Sequence, residues 1–293
     1  ESVEYTWEYC ICSCKYLLKE LVNRKKKLLI KLLLMLNDYS RTLSMDKSAR
    51  TVQLIGEETY QSIKKMRVAV FGLGAVGSYA IEALARCGVG YMRLIDFDTL
   101  NPTNLNRQLF ALHSTMEQPK TEIAKKRVKD INPDCKVDDR HVFIEESTLE
   151  SILKPDVDIL IDAIDTVSSK IHLIKTAKYQ NIPIVTSMGA GGRTRSEEIR
   201  SGDLFESYNC PLAKIIRKRL RQSGIKEGVP CVYSTEQPRN RRPFEQKDAD
   251  VLPEDVLPRT PIGTISYLPG IFGLKLAQLA LEIVVGNVIH LDN

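Results

Sequence analysis

The chain has 293 residues, 43% of them hydrophobic, with 42 Lys and Arg against 37 Asp and Glu. This composition is typical of a soluble α/β protein, and an excess of five positive charges is too small to bind nucleic acid without a local basic patch. Seven cysteines without paired CxxC motifs exclude a disulfide framework and a four-cysteine zinc site, and they favour a reducing, cytoplasmic compartment.

Residues 1–44 differ in composition from the remainder of the chain. They combine clustered cysteines with the basic run Arg24–Lys27 and the apolar run Leu28–Leu36, which is too short to span a bilayer. We interpret this segment as an N-terminal extension that is non-native or disordered, with Met45 as a plausible native start and residues 45–293 as the main domain. The alternative is an amphipathic helix with peripheral membrane association.

From Arg67 onwards, short apolar runs alternate with stretches of helical periodicity. The apolar runs predict buried strands at 67–71, 91–96, 157–161 and 182–186. The helical stretches are 77–86, 120–131 and 170–180. This alternation predicts an α/β, doubly wound, Rossmann-like fold, in which helices cover both faces of a mainly parallel sheet.

The C-terminal third of the sequence is less regular. Residues 224–261 are rich in proline and charge, which predicts a mobile loop. Residues 267–286 form an apolar stretch interrupted by Lys275, Gln278 and Glu282. These polar positions favour a core or dimer-interface helix over a membrane span, which remains the alternative.

A glycine-rich motif, Gly72-Leu-Gly74-Ala-Val-Gly77, lies between the first predicted strand and the first helix of this region. Such a loop lets backbone N–H groups at a helix N-terminus approach phosphates. Asp96 follows 19 residues after Gly77, at the end of the second strand, where a carboxylate can accept ribose hydroxyls. The motif predicts a nucleotide site without distinguishing ATP from NAD or FAD.

Further charged and amide residues follow the second and third predicted strands. Attack of a carboxylate on the α-phosphate of ATP builds negative charge on phosphate oxygens, so the site needs fixed cations and a carboxylate that holds Mg²⁺. Arg107, Lys120 and Asp165 have the required chemistry, and an NAD dehydrogenase has no need for this series.

With these motifs, residues 50–286 resemble the ThiF and ubiquitin-activating family of adenylating enzymes, which includes the sulfur-carrier adenylyltransferases. The resemblance implies ATP at the glycine loop and Mg²⁺ near Asp165. It also implies a homodimer in which Arg50 reaches the partner subunit's ATP. The residues that it places on the nucleotide are Gly72, Gly74, Gly77, Asp96, Asp98, Asn104, Arg107 and Lys120.

Within this family the sequence is most similar to the tRNA threonylcarbamoyladenosine dehydratases. The similarity lies in segments such as 111–114, 130–135, 162–165, 189–192, 210–213 and 231–236. It implies that the carboxylate of the modified adenosine is activated as an acyl adenylate, after which an internal nitrogen closes a ring and AMP leaves. The alternatives are an adenylyltransferase for a sulfur-carrier or ubiquitin-like protein, which the missing zinc motifs disfavour, and an NAD oxidoreductase or non-catalytic binding module.

Two features bear on partners and on catalysis. Lys214, Arg217, Lys218 and Arg221 recur at helical spacing opposite Ile215, Ile216 and Leu220, which predicts a cationic helix face for tRNA phosphates. Cys231 opens a signature segment beside the predicted loop. Its thiolate would capture an acyl adenylate or accept sulfur from a transfer partner protein, or else the residue is a partly buried structural cysteine.

Overall fold

The computed structural model describes residues 22, 24–32, 47–153, 157–239 and 262–286. The strands are β1 Arg67–Phe71, β2 Tyr91–Asp96, β3 Lys136–His141, β4 Ile159–Asp162, β5 Ile184–Ser187, β6 Ile199–Asp203 and β7 Pro230–Ser234. The helices that follow residue 48 are α1 Ala49–Ile55, α2 Glu57–Lys65, α3 Gly77–Cys87, α4 Lys120–Ile131, α5 Glu146–Leu153, α6 Val167–Tyr179, α7 Pro211–Gln222 and α8 Tyr267–Val285.

The seven strands form one sheet in the order β3-β2-β1-β4-β5-β7-β6. All neighbours are parallel except β6, which pairs antiparallel with β7. Because β1 pairs with both β2 and β4, the strand order reverses beside it, and in such folds ligands bind at the carboxyl ends of the strands at this reversal. The predicted doubly wound, mainly parallel fold is confirmed.

The hydrophobic core has two parts, one on each face of the sheet. Successive side chains of a strand point to opposite faces. Accordingly, Val68 and Val70 of β1 pack in one apolar cluster with α3, α4 and α8, whereas Ala69 and Phe71 pack in the other with α5, α6 and α7. Both faces are therefore covered by helices, and the carboxyl ends of β1, β2 and β4 are held at one edge.

The C-terminal helix α8 packs against α3. A Cβ at Gly273 would overlap the carbonyl oxygen of Val76, and one at Gly270 would lie 3.3 Å from the Tyr79 ring, so these glycines permit close approach of the two helices. Helix α8 is long and apolar enough to cross a membrane, yet half of its apolar stretch is buried in the molecule. Its packing agrees with the predicted core helix.

Some elements are absent from the sequence-based prediction. Strand β7 forms at residues 230–234, inside the segment predicted as a mobile loop, so that prediction is wrong for these residues. Pairing with β5 and β6 stabilises this strand despite the surrounding prolines and charges. Residues 240–261 of the predicted loop lie outside the described residues.

The chain divides into two compact units, Glu1–Arg50 and Thr51–Asn293. In the first unit, residues 24–32 are helical and exposed. The exposed apolar side chains of this segment are Leu28, Leu29, Ile30 and Leu32. Most of residues 1–44 lies outside the described part of the chain, so the predicted extension stays a prediction.

Candidate active site

The glycine loop turns tightly between β1 and α3. Gly72 has a φ of +86°, and a Cβ there would lie 2.7 Å from the Ala163 carbonyl oxygen. A Cβ at Gly77 would overlap the carbonyl oxygen of Gly72. By contrast, a Cβ at Gly74 would meet only the Gln108 amide, at an ordinary 3.7 Å, among the residues that the structure describes. The fold therefore requires glycine at positions 72 and 77, whereas Gly74 leaves space that a ligand can use.

Asp96, at the carboxyl end of β2, ties this loop to the segment that follows. Its Oδ2 accepts the Leu73 N–H at 2.7 Å and its Oδ1 accepts the Asp98 N–H at 2.8 Å. Burial raises the pKa of Asp96, and nearby Lys120 opposes that shift. Each carboxylate oxygen can accept a second hydrogen bond, so Asp96 retains the capacity that a ribose hydroxyl needs.

Lys120 is the first residue of α4 and is almost fully buried, with only 5% of its surface exposed. Its Nζ lies 2.5 Å from Asp98 Oδ2 and 3.9 Å from Asp96 Oδ1. The structure therefore brings together Asp96, Asp98 and Lys120, three of the four charged residues that the sequence placed on the nucleotide. Asp98 is half exposed, so it can share the ammonium with an incoming anion.

Asn104 and Arg107 lie on the short turn that follows β2. Asn104 is buried, and its Oδ1 accepts the Asn101 N–H at 3.2 Å, which stabilises the turn. Arg107 donates to Thr103 O at 2.7 Å, and partial burial lowers its pKa while the charge of Asp165 raises it. The turn thus holds Arg107 within the electrostatic influence of Asp165.

The two aspartates that follow β4 have different environments. Asp162 is fully buried, where its Oδ2 accepts from Lys170 Nζ at 2.8 Å and from Thr186 Oγ1 at 2.6 Å. Its Oδ1 accepts the Ile164 N–H at 3.1 Å, which fixes the loop that leads to Asp165. Asp165 is exposed at the sheet edge. Asp162 therefore supports the loop, whereas the side chain of Asp165 is exposed to solvent.

The sequence did not indicate Lys170 as a site residue. This lysine is fully buried and also donates to Ser187 O at 3.0 Å, so β4, α6 and the end of β5 share one cation. A buried lysine needs such partners. The sequence signal that could have identified Lys170 is its spacing of eight residues from Asp162. This spacing places a lysine of α6 beside the carboxyl end of the preceding strand, β4.

Two of the signature segments, 189–192 and 231–236, meet at the guanidinium of Arg193, which is 3% exposed. Its Nη1 donates to Gly189 O at 2.5 Å and Gly191 O at 3.3 Å. Its Nε donates to Glu236 O at 2.8 Å and its Nη2 to Asn209 O at 3.2 Å. Arg193 thus fixes the glycine-rich segment after β5 against the segments that flank α7 and β7.

Cys231 lies in β7 with no exposed surface, and burial raises the pKa of its thiol far above the usual range. Cys210 is also buried. A nucleophilic cysteine needs thiolate character and access to the substrate. The geometry therefore favours the structural role for Cys231 over covalent capture of an acyl group or sulfur.

Helix α7 carries the predicted basic face, with Lys214, Lys218 and Arg221 exposed. Arg217 differs because its Nη1 donates to Ser207 O at 2.7 Å and Leu204 O at 3.3 Å, so it is partly buried and anchors the helix. Ile215, predicted to lie on the apolar side, is 45% exposed, and that assignment is wrong. Helical rotation places this residue outside the buried stripe formed by Ala213, Ile216 and Leu220.

Arg50 is exposed in the first turn of α1, at the end of the first compact unit. Its assignment to a partner subunit's ATP stays a prediction. Among the described residues, no group of three His, Cys, Asp or Glu side chains could hold a metal ion. A Mg²⁺ site at Asp165 therefore needs phosphate oxygens as further ligands, which is usual for this ion.

Comparison with known proteins shows which proteins this chain is similar to. The chain is 44% identical over 190 residues to the tRNA threonylcarbamoyladenosine dehydratase of Bacillus subtilis, a match that covers 65% of this chain and 75% of the relative. It is 38% identical over 193 residues to the enzyme of the same name from Escherichia coli, covering 64% of this chain and 72% of the relative.

A solved structure gives the same result. The crystal structure of E. coli tRNA N6-threonylcarbamoyladenosine dehydratase in complex with ATP matches with a TM-score of 0.73 and 31% identity, covering 84% of this chain and 96% of that chain. The sequence pattern of the ThiF family matches residues 46–293, which include the glycine loop and every strand of the sheet. This chain belongs to the ThiF family.

Proposed function

We propose that this protein is an ATP-dependent dehydratase that cyclises N6-threonylcarbamoyladenosine in tRNA. The observation that carries the proposal is an arrangement of residues at the carboxyl ends of the central strands. It comprises an open position at Gly74, the buried Asp96–Lys120 pair and the electrostatically coupled residues Arg107 and Asp165. Such a site suits a nucleoside triphosphate that is attacked at its α-phosphate. The likeness to dehydratases supports the choice of substrate.

The reaction has two steps. A carboxylate oxygen of the threonylcarbamoyl group attacks the α-phosphorus of ATP, forming an acyl adenylate and releasing pyrophosphate. The N6 nitrogen then attacks the activated carbonyl carbon and loses its proton, and AMP leaves with the oxygen that came from the carboxylate. The substrate thus loses the elements of water, because one carboxylate oxygen leaves with AMP and the hydrogen of N6 leaves as a proton.

Each residue of the site has a role in this scheme. Asp96 accepts a hydrogen bond from a ribose hydroxyl, and the N-terminus of α3 faces the phosphates. Lys120 shares its ammonium between Asp98 and a phosphate oxygen, and Arg107 opposes the charge that develops during attack. Mg²⁺ held by Asp165 would neutralise charge on the triphosphate. Asn104 shapes the turn that presents Arg107.

The substrate surface and the assembly extend the proposal beyond one site. The exposed cations Lys214, Lys218 and Arg221 of α7 bind tRNA phosphates. Two copies of the chain form a homodimer, in which Arg50 of each subunit reaches the ATP of the other. The buried thiol of Cys231 gives no support to a sulfur-transfer partner that acts through this residue. A cytoplasmic location suits the tRNA substrate.

Incubation of the purified protein with modified tRNA tests the proposal. Mass spectrometry of the tRNA nucleosides should show loss of water from threonylcarbamoyladenosine only when ATP and Mg²⁺ are both present. Pyrophosphate exchange that requires a small protein ending in Gly-Gly would instead identify a carrier-protein adenylyltransferase. Tight NAD binding without ATP binding would identify an oxidoreductase or binding module.

A further inference from the structure

Gln108 lies beside the glycine loop in a position that its own backbone fixes. Its N–H donates to Asn104 O at 2.9 Å, and its carbonyl oxygen accepts the Ala111 N–H at 3.1 Å. Only 8% of the residue is exposed. The side chain therefore enters the site from a rigid turn, at a place that the sequence motif did not distinguish from the neighbouring Arg107.

The side-chain oxygen of Gln108 is the one buried side-chain nitrogen or oxygen, within the described part of the chain, that has no hydrogen-bond partner. Other buried amides are satisfied. Asn132, for example, is 4% exposed and donates to Val89 O at 3.1 Å. Because a buried unpaired acceptor is unfavourable, its retention needs an explanation such as a bound ligand.

The environment of this amide identifies the ligand. Gln108 Nε2 would lie 3.7 Å from a Cβ placed on Gly74, the loop position where the fold itself does not require glycine. The amide nitrogen of Gln108 and an open backbone position therefore face the same space, next to the N-terminus of α3. A helix N-terminus with bare backbone favours a phosphate group.

We infer that Gln108 is a further substrate-contacting residue, whose amide binds the phosphate end of the nucleotide over Gly74. Nε2 donates to a phosphate oxygen, and Oε1 accepts from a water molecule bound to the phosphates, because phosphate oxygens themselves offer no proton to donate. The inference rests on the proposed use of ATP. A neutral amide suits this position because it binds the phosphates without adding a further charge to a site that already contains Lys120 and Arg107.

Replacement by a side chain of similar shape tests this role. Gln108→Met removes both hydrogen-bonding groups and also the unpaired acceptor, so the Tm should equal or exceed that of the wild type. ATP affinity, measured by calorimetry, should fall about 10-fold or more, the loss expected for a hydrogen bond to a charged group. Adenosine affinity should stay unchanged, because the contact is to the phosphates.

The matched control is Asn132→Leu, which removes a buried amide with a partner. It should show the opposite signature, a lower Tm with unchanged ATP affinity. Gln108→Ala serves as a second variant, because it also removes the amide and leaves space instead of a methionine side chain. It should lose ATP affinity in the same way.

The outcomes separate this inference from the proposed function. Wild-type affinity for ATP in both Gln108 variants would overturn the inference and leave the proposed function intact. A lower Tm in Gln108→Met without selective loss of ATP over adenosine would show a structural role and also overturn it. Absence of ATP binding in the wild-type protein would overturn the proposed function and this inference together.

Discussion

Gly77 packs so closely on Gly72 that a Cβ at position 77 would overlap the Gly72 carbonyl oxygen. The neighbouring Gly74 has no comparable constraint. Two glycines of one motif are thus retained for different reasons. At position 77 the fold requires the missing side chain, and at position 74 we propose that the nucleotide requires it.

Alanine substitutions separate these two requirements. Gly77→Ala should destabilise the protein by at least about 1–3 kcal/mol, because the methyl group meets backbone that cannot move freely. Gly74→Ala should fold normally, with stability raised by up to about 1 kcal/mol, since alanine restricts the unfolded chain. It should nevertheless bind ATP poorly. Urea unfolding and calorimetric titration measure both effects, and unimpaired ATP binding by Gly74→Ala would contradict the assignment.

Asp165 is expected to act in catalysis and not in stability, because it is exposed at the sheet edge. Asp165→Ala should leave the Tm nearly unchanged and reduce turnover by about 10²-fold or more.

Mixing the Asp165→Ala variant with Arg50→Ala tests the proposed dimer, since a heterodimer would contain one intact site assembled from two inactive parents. A mixture that stays inactive despite verified subunit exchange would show that Arg50 does not act in trans.

The buried position of Cys231 predicts that substitution of this residue leaves turnover unchanged. Cys231→Ala should keep turnover close to that of the wild type, because a thiol with a raised pKa and no exposed surface cannot attack the substrate. Loss of a true covalent nucleophile would reduce kcat by several orders of magnitude. The measurement is the single-turnover rate with modified tRNA, corrected for the fraction of folded enzyme. A rate reduced by orders of magnitude in fully folded protein would restore the catalytic role.

The basic face of α7 should contribute to tRNA affinity through phosphate contacts. Replacing Lys214, Lys218 and Arg221 together with alanine should weaken tRNA binding at low salt. It should also reduce the slope of log K against log salt by about one unit per lost phosphate contact. Fluorescence anisotropy at several salt concentrations measures both quantities.

A triple variant of α4 provides the control for charge. Lys126, Arg127 and Lys129 are exposed on a helix that packs on the opposite face of the sheet. Their replacement with alanine changes the net charge equally and should leave the salt dependence unaltered. Equal weakening by the two triple variants would indicate a general effect of charge and would remove α7 from the tRNA interface.

The sequence predicts strands whose side chains are mostly apolar, and it predicts loops whose glycines are sterically required. Strands β1, β2 and β4 are mostly apolar because both of their faces are covered, although β2 also contains the buried Arg93. Strand β3 was missed because it lies at the sheet edge, and its sequence Lys-Val-Asp-Asp-Arg-His has no apolar run. An edge strand is identified by its partner, which local periodicity does not reveal.

The same limit applies to the candidate site. The order of the motifs predicted the site residues at the carboxyl ends of the strands. It did not predict which of Asp162 and Asp165 is buried, because the burial depends on Lys170 and Thr186 from other elements. Helical spacing predicted four equivalent cations on α7, yet the carbonyl oxygens near Ser207 bind Arg217. The unpaired amide of Gln108 likewise emerges only when the turn folds over the glycine loop.

The path of the substrate oxygen tests adenylation most directly. The threonylcarbamoyl carboxylate of the tRNA is labelled with ¹⁸O and a single turnover is run with ATP and Mg²⁺, after which the phosphate products are analysed by mass spectrometry. If the carboxylate attacks the α-phosphate, one labelled oxygen should appear in AMP and none in pyrophosphate. Label in inorganic phosphate together with ADP, or unlabelled AMP alongside cyclised tRNA, would contradict activation through an acyl adenylate.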